Sequence, residues 1–260
     1  MPSEKPQLYR LKFSRDDLLK LPEEDQLFFV QLGQVANDLR YVSYMCATAE
    51  KGIRSRSADE RKLAKHQLHL GVRLLYSTLH EGWKVIKNSW KANALGKKWH
   101  PKLNAEARAG LKFLGRYFAK SSNLSSTIRN EFGYHYPREL LREPLANAPE
   151  KAAEILSGAR KRNVFYSFAE EIRSLAMLQA ALPTGAPKLW DKTASEEDIR
   201  AAAKQLYTDY RRVLEAFEAF AGDVLVAMIK SLRHSTEKFT PPRVTKWADM
   251  SPVLFVEEPP

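Results

Sequence analysis

Apolar residues recur with the period of a helix along most of the chain. From Phe28 they fall at Phe28, Leu32, Val35, Leu39, Val42, Cys46 and Ala49, steps of four and three that line one side of a helix of roughly seven turns. Pro22, followed by Glu23, Glu24 and Asp25, opens this helix and Gly52 closes it. A missing N–H and negative charge suit a helix start, and glycine suits a helix end. Ser57-Ala-Asp-Glu60 has the spacing of a capping box. The helix it starts carries Leu68, Val72, Leu75, Leu79, Trp83, Ile86 and Trp90 inward until Gly96 and Pro101. A third helix is predicted from about Asn104 to Ala119, with Leu111, Leu114 and Phe118 inward.

After the turn cluster Ser121–Ser126 a short helix is predicted over Thr127–Tyr134. Pro137, Pro144 and Pro149 predict an irregular stretch over 137–150. Phe165, Phe168, Ile172, Leu175 and Leu182 mark another helix, broken by Pro183-Thr-Gly-Ala-Pro187. Ser195-Glu-Glu-Asp198 caps the last, whose stripe is Leu206, Tyr210, Val213, Phe217, Phe220, Val224 and Ala227.

No run with the strand period of two precedes Thr240, and no segment repeats. Long amphipathic helices must cover one another's stripes. The prediction is an all-α fold, an up-and-down bundle of long amphipathic helices with an irregular middle insertion. One domain covers residues 1–240, and a Pro-rich extended tail follows over 241–260. The coiled-coil-like spacing of the stripes also suits a helix-paired dimer.

Composition adds a charge asymmetry. The chain has 260 residues and net charge +11. Residues 51–120 hold 17 Lys and Arg against 4 Asp and Glu, a net +13, so the remainder carries −2. Such concentration suits a polyanion or an acidic partner. The cations read as nucleic-acid contacts are Arg73, Lys84, Lys87, Lys97 and Lys98. A single cysteine, Cys46, excludes an intrachain disulfide and a cysteine-based zinc site. The N-terminus lacks a secretory h-region, and the most apolar window, Ala216–Ile229, contains Glu218 and Asp223 and is too short to span a bilayer. The expectation is a cytoplasmic protein with no membrane partner.

Phosphate-binding loops, dinucleotide fingerprints, nucleophile elbows and Glu-x-x-His pairs are missing. His66, His69 and His80 share one helix face with Arg73, Tyr76, Lys84 and Lys87. His69 and His80 lie roughly 16 Å apart along that helix, too far for one metal, so the face reads as a basic, solvated or polyanion-facing stripe.

The segment Ile128-Arg129-Asn130-Glu131-Phe132-Gly133-Tyr134-His135-Tyr136-Pro137 resembles the HEPN superfamily. The hallmark of that family is Arg, a polar residue such as Asn, a short gap, then His. Arg129, Asn130 and His135 match it residue by residue, and Phe165–Ile172 is similar to the helix that follows the motif in some bacterial members. The resemblance spans residues 24–235, with only the motif sharp. Arg61-Lys-Leu-Ala-Lys-His66 has the same spacing without the polar residue. In some toxin members the motif continues His-x-Tyr, where a partner enzyme modifies the Tyr; here Pro137 stands at that position.

The resemblance implies a metal-independent endoribonuclease of the toxin or defence-effector kind, leaving a 2′,3′-cyclic phosphate and needing no cofactor. His135 would be its acid–base group and Arg129 would stabilise phosphate charge, with Asn130 orienting. These are the types the chemistry requires, since His titrates near neutrality and Arg offers a permanently charged fork. RNA, a second copy of the chain and a protein antitoxin or regulator are the implied partners. On an unbroken helix, residues six apart are turned by about 240° and raised by about 9 Å. Either the helix breaks near Gly133 or two chains share the site. The alternative is a non-catalytic helical module that binds nucleic acid or protein through residues 51–120, with Arg129 paired to Glu131 or a helix end and His135 as a helix cap.

Overall fold

The computed structural model describes residues 8–91, 94–133, 138–147, 156–157, 164–183, 185–191, 194–232 and 234–239. Among them are nine α-helices: α1 (Arg15–Leu18), α2 (Glu23–Gly52), α3 (Ala58–Val85), α4 (Leu95–Trp99), α5 (Ala105–Ala119), α6 (Leu124–Ile128), α7 (Arg138–Ala146), α8 (Ser167–Ala180) and α9 (Glu196–Ser231). Two π-turns continue helices, Ile86–Lys91 after α3 and Arg129–Gly133 after α6. The all-α expectation holds.

Local chemistry sets the helix starts. Side chains of Ser57, Asn104, Asn123 and Ser195 accept from the N–H groups of Glu60, Ala107, Ser126 and Asp198, satisfying donors that the first turn leaves orphaned. At Ser195 the Asp198 carboxylate also accepts from the cap's own N–H, completing a capping box.

The connection between α2 and α3 is short, and the two helices pack along their lengths through Phe28, Leu32, Leu39, Cys46, Leu68, Val72, Leu75 and Leu79. Helix α9 lies against both and against α5. Trp90 meets Phe28 of α2 and Phe220 of α9, ring centroids 5.8 and 5.0 Å away. At Gly110 a Cβ would come within 2.5 Å of the Ala216 carbonyl oxygen, so only glycine lets α5 approach α9 this closely. One half-buried carboxylate ties four helices. Asp209 of α9 accepts from the Tyr76 hydroxyl at 3.0 Å and the Tyr117 hydroxyl at 2.6 Å, and the Tyr117 oxygen accepts from Ser125 N–H at 3.1 Å.

Three features depart from the sequence reading. Strands β1 (Leu8–Phe13) and β4 (His234–Phe239) pair antiparallel, Leu8 opposite Phe239 and Phe13 opposite His234, so the two ends of the described fold meet in a ribbon. Phe13 packs edge-on against Phe29 of α2 at 5.8 Å. A two-residue pair, β2 (Leu156–Ser157) and β3 (Val164–Phe165), also forms. Within 137–150, expected to be irregular, residues 138–146 form α7 with Pro144 inside it. That proline forfeits one bond near the helix end, and Asn147 N–H still reaches the Glu143 carbonyl. The tail over 241–260 lies outside the described residues.

Candidate functional site

Asn123 caps α6, and at Arg129 its backbone widens from α to π and continues so to Gly133. Wider i→i+5 turns are rare and concentrate at functional positions. They also remove the regular 100° step on which the 240° divergence of Arg129 and His135 rests. Three contacts hold the turn. Phe132 is buried, Arg173 of α8 donates to the Phe132 carbonyl at 2.5 Å, and a Cβ on Gly133 would come within 2.6 Å of Ser77 Oγ. Glycine therefore lets the turn lie directly on α3.

Arg129 and Asn130 face outward from this turn. The Arg129 guanidinium donates to Asn130 Oδ1 at 2.9 Å and to Glu81 Oε1 of α3 at 3.1 Å. Lys84 donates to the same Glu81 carboxylate at 2.9 and 3.2 Å. Glu131, the alternative partner considered for Arg129, is not the one it takes; burial pushes the Glu131 carboxyl up from its ordinary value. For Glu81, burial works upward, but Lys84 and Arg129 outweigh it and hold the carboxyl below its ordinary range.

His80 stands one residue before Glu81. Its Nδ1 lies 3.4 Å from Ser126 Oγ, and its ring meets the edge of Phe118, which stacks on Trp83 at 5.2 Å. Burial, then Lys84 and Arg129, lower its pKa against the opposing pull of Glu81. An imidazole whose neutral form is thereby favoured sits beside two cations on a partly open surface. The sequence reading placed His80 on the right helix but not beside Arg129. Lys84 shares its face, but Ser126 of α6, which brings Arg129 near, is 46 residues away in the chain. His135 lies outside the described residues.

The other candidates divide. Lys87 and Lys97 are exposed and Lys84 is half-buried. Lys98 is ion-paired with the buried Asp25 and lies 4.9 Å from the Trp99 ring centroid, so part of its role is to neutralise that carboxylate. Arg73 must be removed from the polyanion contacts. Its side chain is only 4% exposed and pairs with Glu170 of α8 at 3.4 Å.

The expected solvated histidine stripe also fails where α8 covers it. His66 and His69 are 3% and 2% exposed, and His69 Nδ1 lies 2.6 Å from Ser174 Oγ. Burial, with Lys65 and other nearby cations, lowers their pKa values to about 4 and about 3. The Arg61–His66 spacing match has no shared site, because Arg61 donates to the Ser55 and Arg56 carbonyls of the α2–α3 connection while His66 is buried. Among the described residues no three His, Cys, Asp or Glu side chains gather as a metal site, and no helix is long and apolar enough to cross a membrane.

No family model, no curated protein and no solved structure matches this chain.

Proposed function

We propose that the chain is a HEPN-like, metal-independent endoribonuclease with its site at the π-turn after α6. The observation that carries this reading is the placement of Arg129 and Asn130 on that turn, with the guanidinium at the surface beside Lys84 and His80. A phosphodiester would exchange Glu81 for its own oxygens as the partner of Arg129 and Lys84, and Asn130 would hold the guanidinium in plane. His135, the motif histidine, is assigned proton transfer. It takes the 2′-hydroxyl proton or protonates the departing 5′-oxygen, as a group titrating near neutrality can.

The partners of this reading are RNA, a second copy of the chain and a regulatory protein of the antitoxin kind, in a cytoplasmic setting. A second reading, a non-catalytic nucleic-acid- or protein-binding module, is favoured by one contact. Glu81 already neutralises Arg129, which suits a docking surface as well as a catalytic one.

RNA cleavage in EDTA separates the two. Wild type should release 2′,3′-cyclic phosphate ends. His135→Ala and Arg129→Ala should lose about 10²–10⁴-fold in rate with helicity intact, and Asn130→Ala less. Folded wild type that binds RNA without cutting it would leave the binding module. Equal rates in wild type, His135→Ala and Arg129→Ala would refute the assignment.

A further inference from the structure

Helix α2 carries two seams. The inner one, Phe28, Leu32, Leu39, Cys46 and Ala49, is buried against α3 and α9. A second runs along the outside: Leu27, Val30, Gln34, Asn37, Tyr41 and Tyr44 recur at steps of three, four, three, four and three. At 100° per residue these six fall within an arc of about 100°, roughly opposite the inner seam, and span about 26 Å of helix. All six are exposed, Val30 by 56% and Tyr41 by 67%. None carries a charge, in a chain where 28% of residues do. A solvated helix face has no reason to be uncharged at every position of a heptad-spaced row, whereas a helix-pairing seam does.

We infer that this face is an isologous interface, on which α2 pairs antiparallel with α2 of a second copy about a two-fold axis between Gln34 and Asn37. The residues themselves argue for that occupant and that register. In a two-fold contact, residue i meets j and j meets i. An axis midway between residues 34 and 37 sets Leu27 opposite Tyr44, Val30 opposite Tyr41, and Gln34 opposite Asn37, each pair occurring twice. Every aliphatic side chain then meets an aromatic ring, and the amides meet each other, where both can donate and accept. The flanking charges avoid themselves, since Asp38 comes opposite Gln31 on one flank and Arg40 opposite Gly33 on the other. Parallel pairing would instead set Tyr41 against Tyr41 and Val30 against Val30, so that no aliphatic side chain of the row meets a ring. The inference does not depend on the ribonuclease reading.

Light scattering and a disulfide trap test it. Wild type should approach twice 29.7 kDa as concentration rises through the micromolar range. Val30→Glu and Tyr41→Lys should each be monomeric, with unchanged helicity because both positions are exposed. Mixing the two variants should restore the dimer mass. The carboxylate introduced on one chain then faces the ammonium introduced on the other, while the unaltered Tyr41 of the first and Val30 of the second keep their native contact. For register, Val30→Cys mixed with Tyr41→Cys should oxidise to a crosslinked pair, whereas Val30→Cys alone should not. In the antiparallel register the two copies of position 30 lie about 16 Å apart along the axis, too far for a disulfide. The native Cys46 is buried, with its thiol pushed up to about 12, and does not compete.

A wild type monomeric at every concentration would overturn the inference. So would a dimer unaffected by Val30→Glu, which would place the contact elsewhere, or Val30→Cys crosslinking to itself, which would overturn the antiparallel register.

Discussion

Glu81 is the residue that governs what the candidate site offers a phosphate. It holds Arg129 at 3.1 Å and Lys84 at 2.9 Å, and both cations reach it from partly solvated positions. Exposed ion pairs of this kind contribute about 0–1 kcal/mol, so an incoming phosphate can displace the carboxylate at small cost. Removing the carboxylate tests this directly. Glu81→Gln keeps the size and frees two cations, so single-stranded RNA should bind more tightly. The plot of log affinity against log salt should steepen by up to about 1.4, roughly 0.7 for each phosphate gained. An unchanged slope in a folded Glu81→Gln protein would remove Arg129 and Lys84 from the list of phosphate contacts.

At the scale of elements, the docking of α8 on α3 explains both a stability prediction and the main failure of sequence reading. Polar groups line that contact, His69 with Ser174 and Arg73 with Glu170, and Arg173 of α8 reaches on to the Phe132 carbonyl of the π-turn. His69 is held neutral, its pKa lowered to about 3 by burial and then by Lys65, His66 and Arg73. The unfolded chain takes a proton as pH falls through about 6.5, while the folded chain refuses it until about 3. Stability from this group is therefore full above about pH 6.5 and is lost as pH falls, by at most about 1.4 kcal/mol per pH unit. His69→Asn retains a polar atom near the Nδ1 position without titrating. Between about pH 7 and about pH 5, urea melts should show wild type losing about 2 kcal/mol more stability than the variant; parallel losses would exclude His69 as a titrating group.

The same contact shows where a helical wheel stops being informative. The inner stripes and the caps at Ser57 and Ser195 were legible because both depend on residues within one helix. His69 and Arg73 read as part of a solvated stripe because their partners, Ser174 and Glu170, lie about a hundred positions away. The β1–β4 ribbon was hidden for the same reason, each short strand gaining its meaning only from the opposite end of the fold. The motif residues Arg129 and Asn130 were legible as a pattern, whereas Glu81 and His80 joined them only through the packing of α6 and its π-turn on α3.

For the whole molecule, the local charge of +13 over residues 51–120 is not a uniform basic surface. The fold takes Arg73 inward to Glu170 and commits Lys98 to Asp25, while Lys87 and Lys97 stay exposed. Charge reversal should therefore sort these residues into two classes. Lys87→Glu and Lys97→Glu should leave thermal unfolding nearly unchanged. Each should weaken RNA binding and flatten its salt dependence by about 0.7 or more, since a lost phosphate contact no longer releases a counterion. Arg73→Ala should instead leave Glu170 without its buried partner and lower stability by a few kcal/mol. Whatever RNA affinity it loses should return under conditions that keep it folded. RNA binding by wild type that does not respond to salt would show that the basic region faces a protein, and full-strength, salt-sensitive binding by the Lys87→Glu/Lys97→Glu double variant would move the nucleic-acid surface off this side of the bundle.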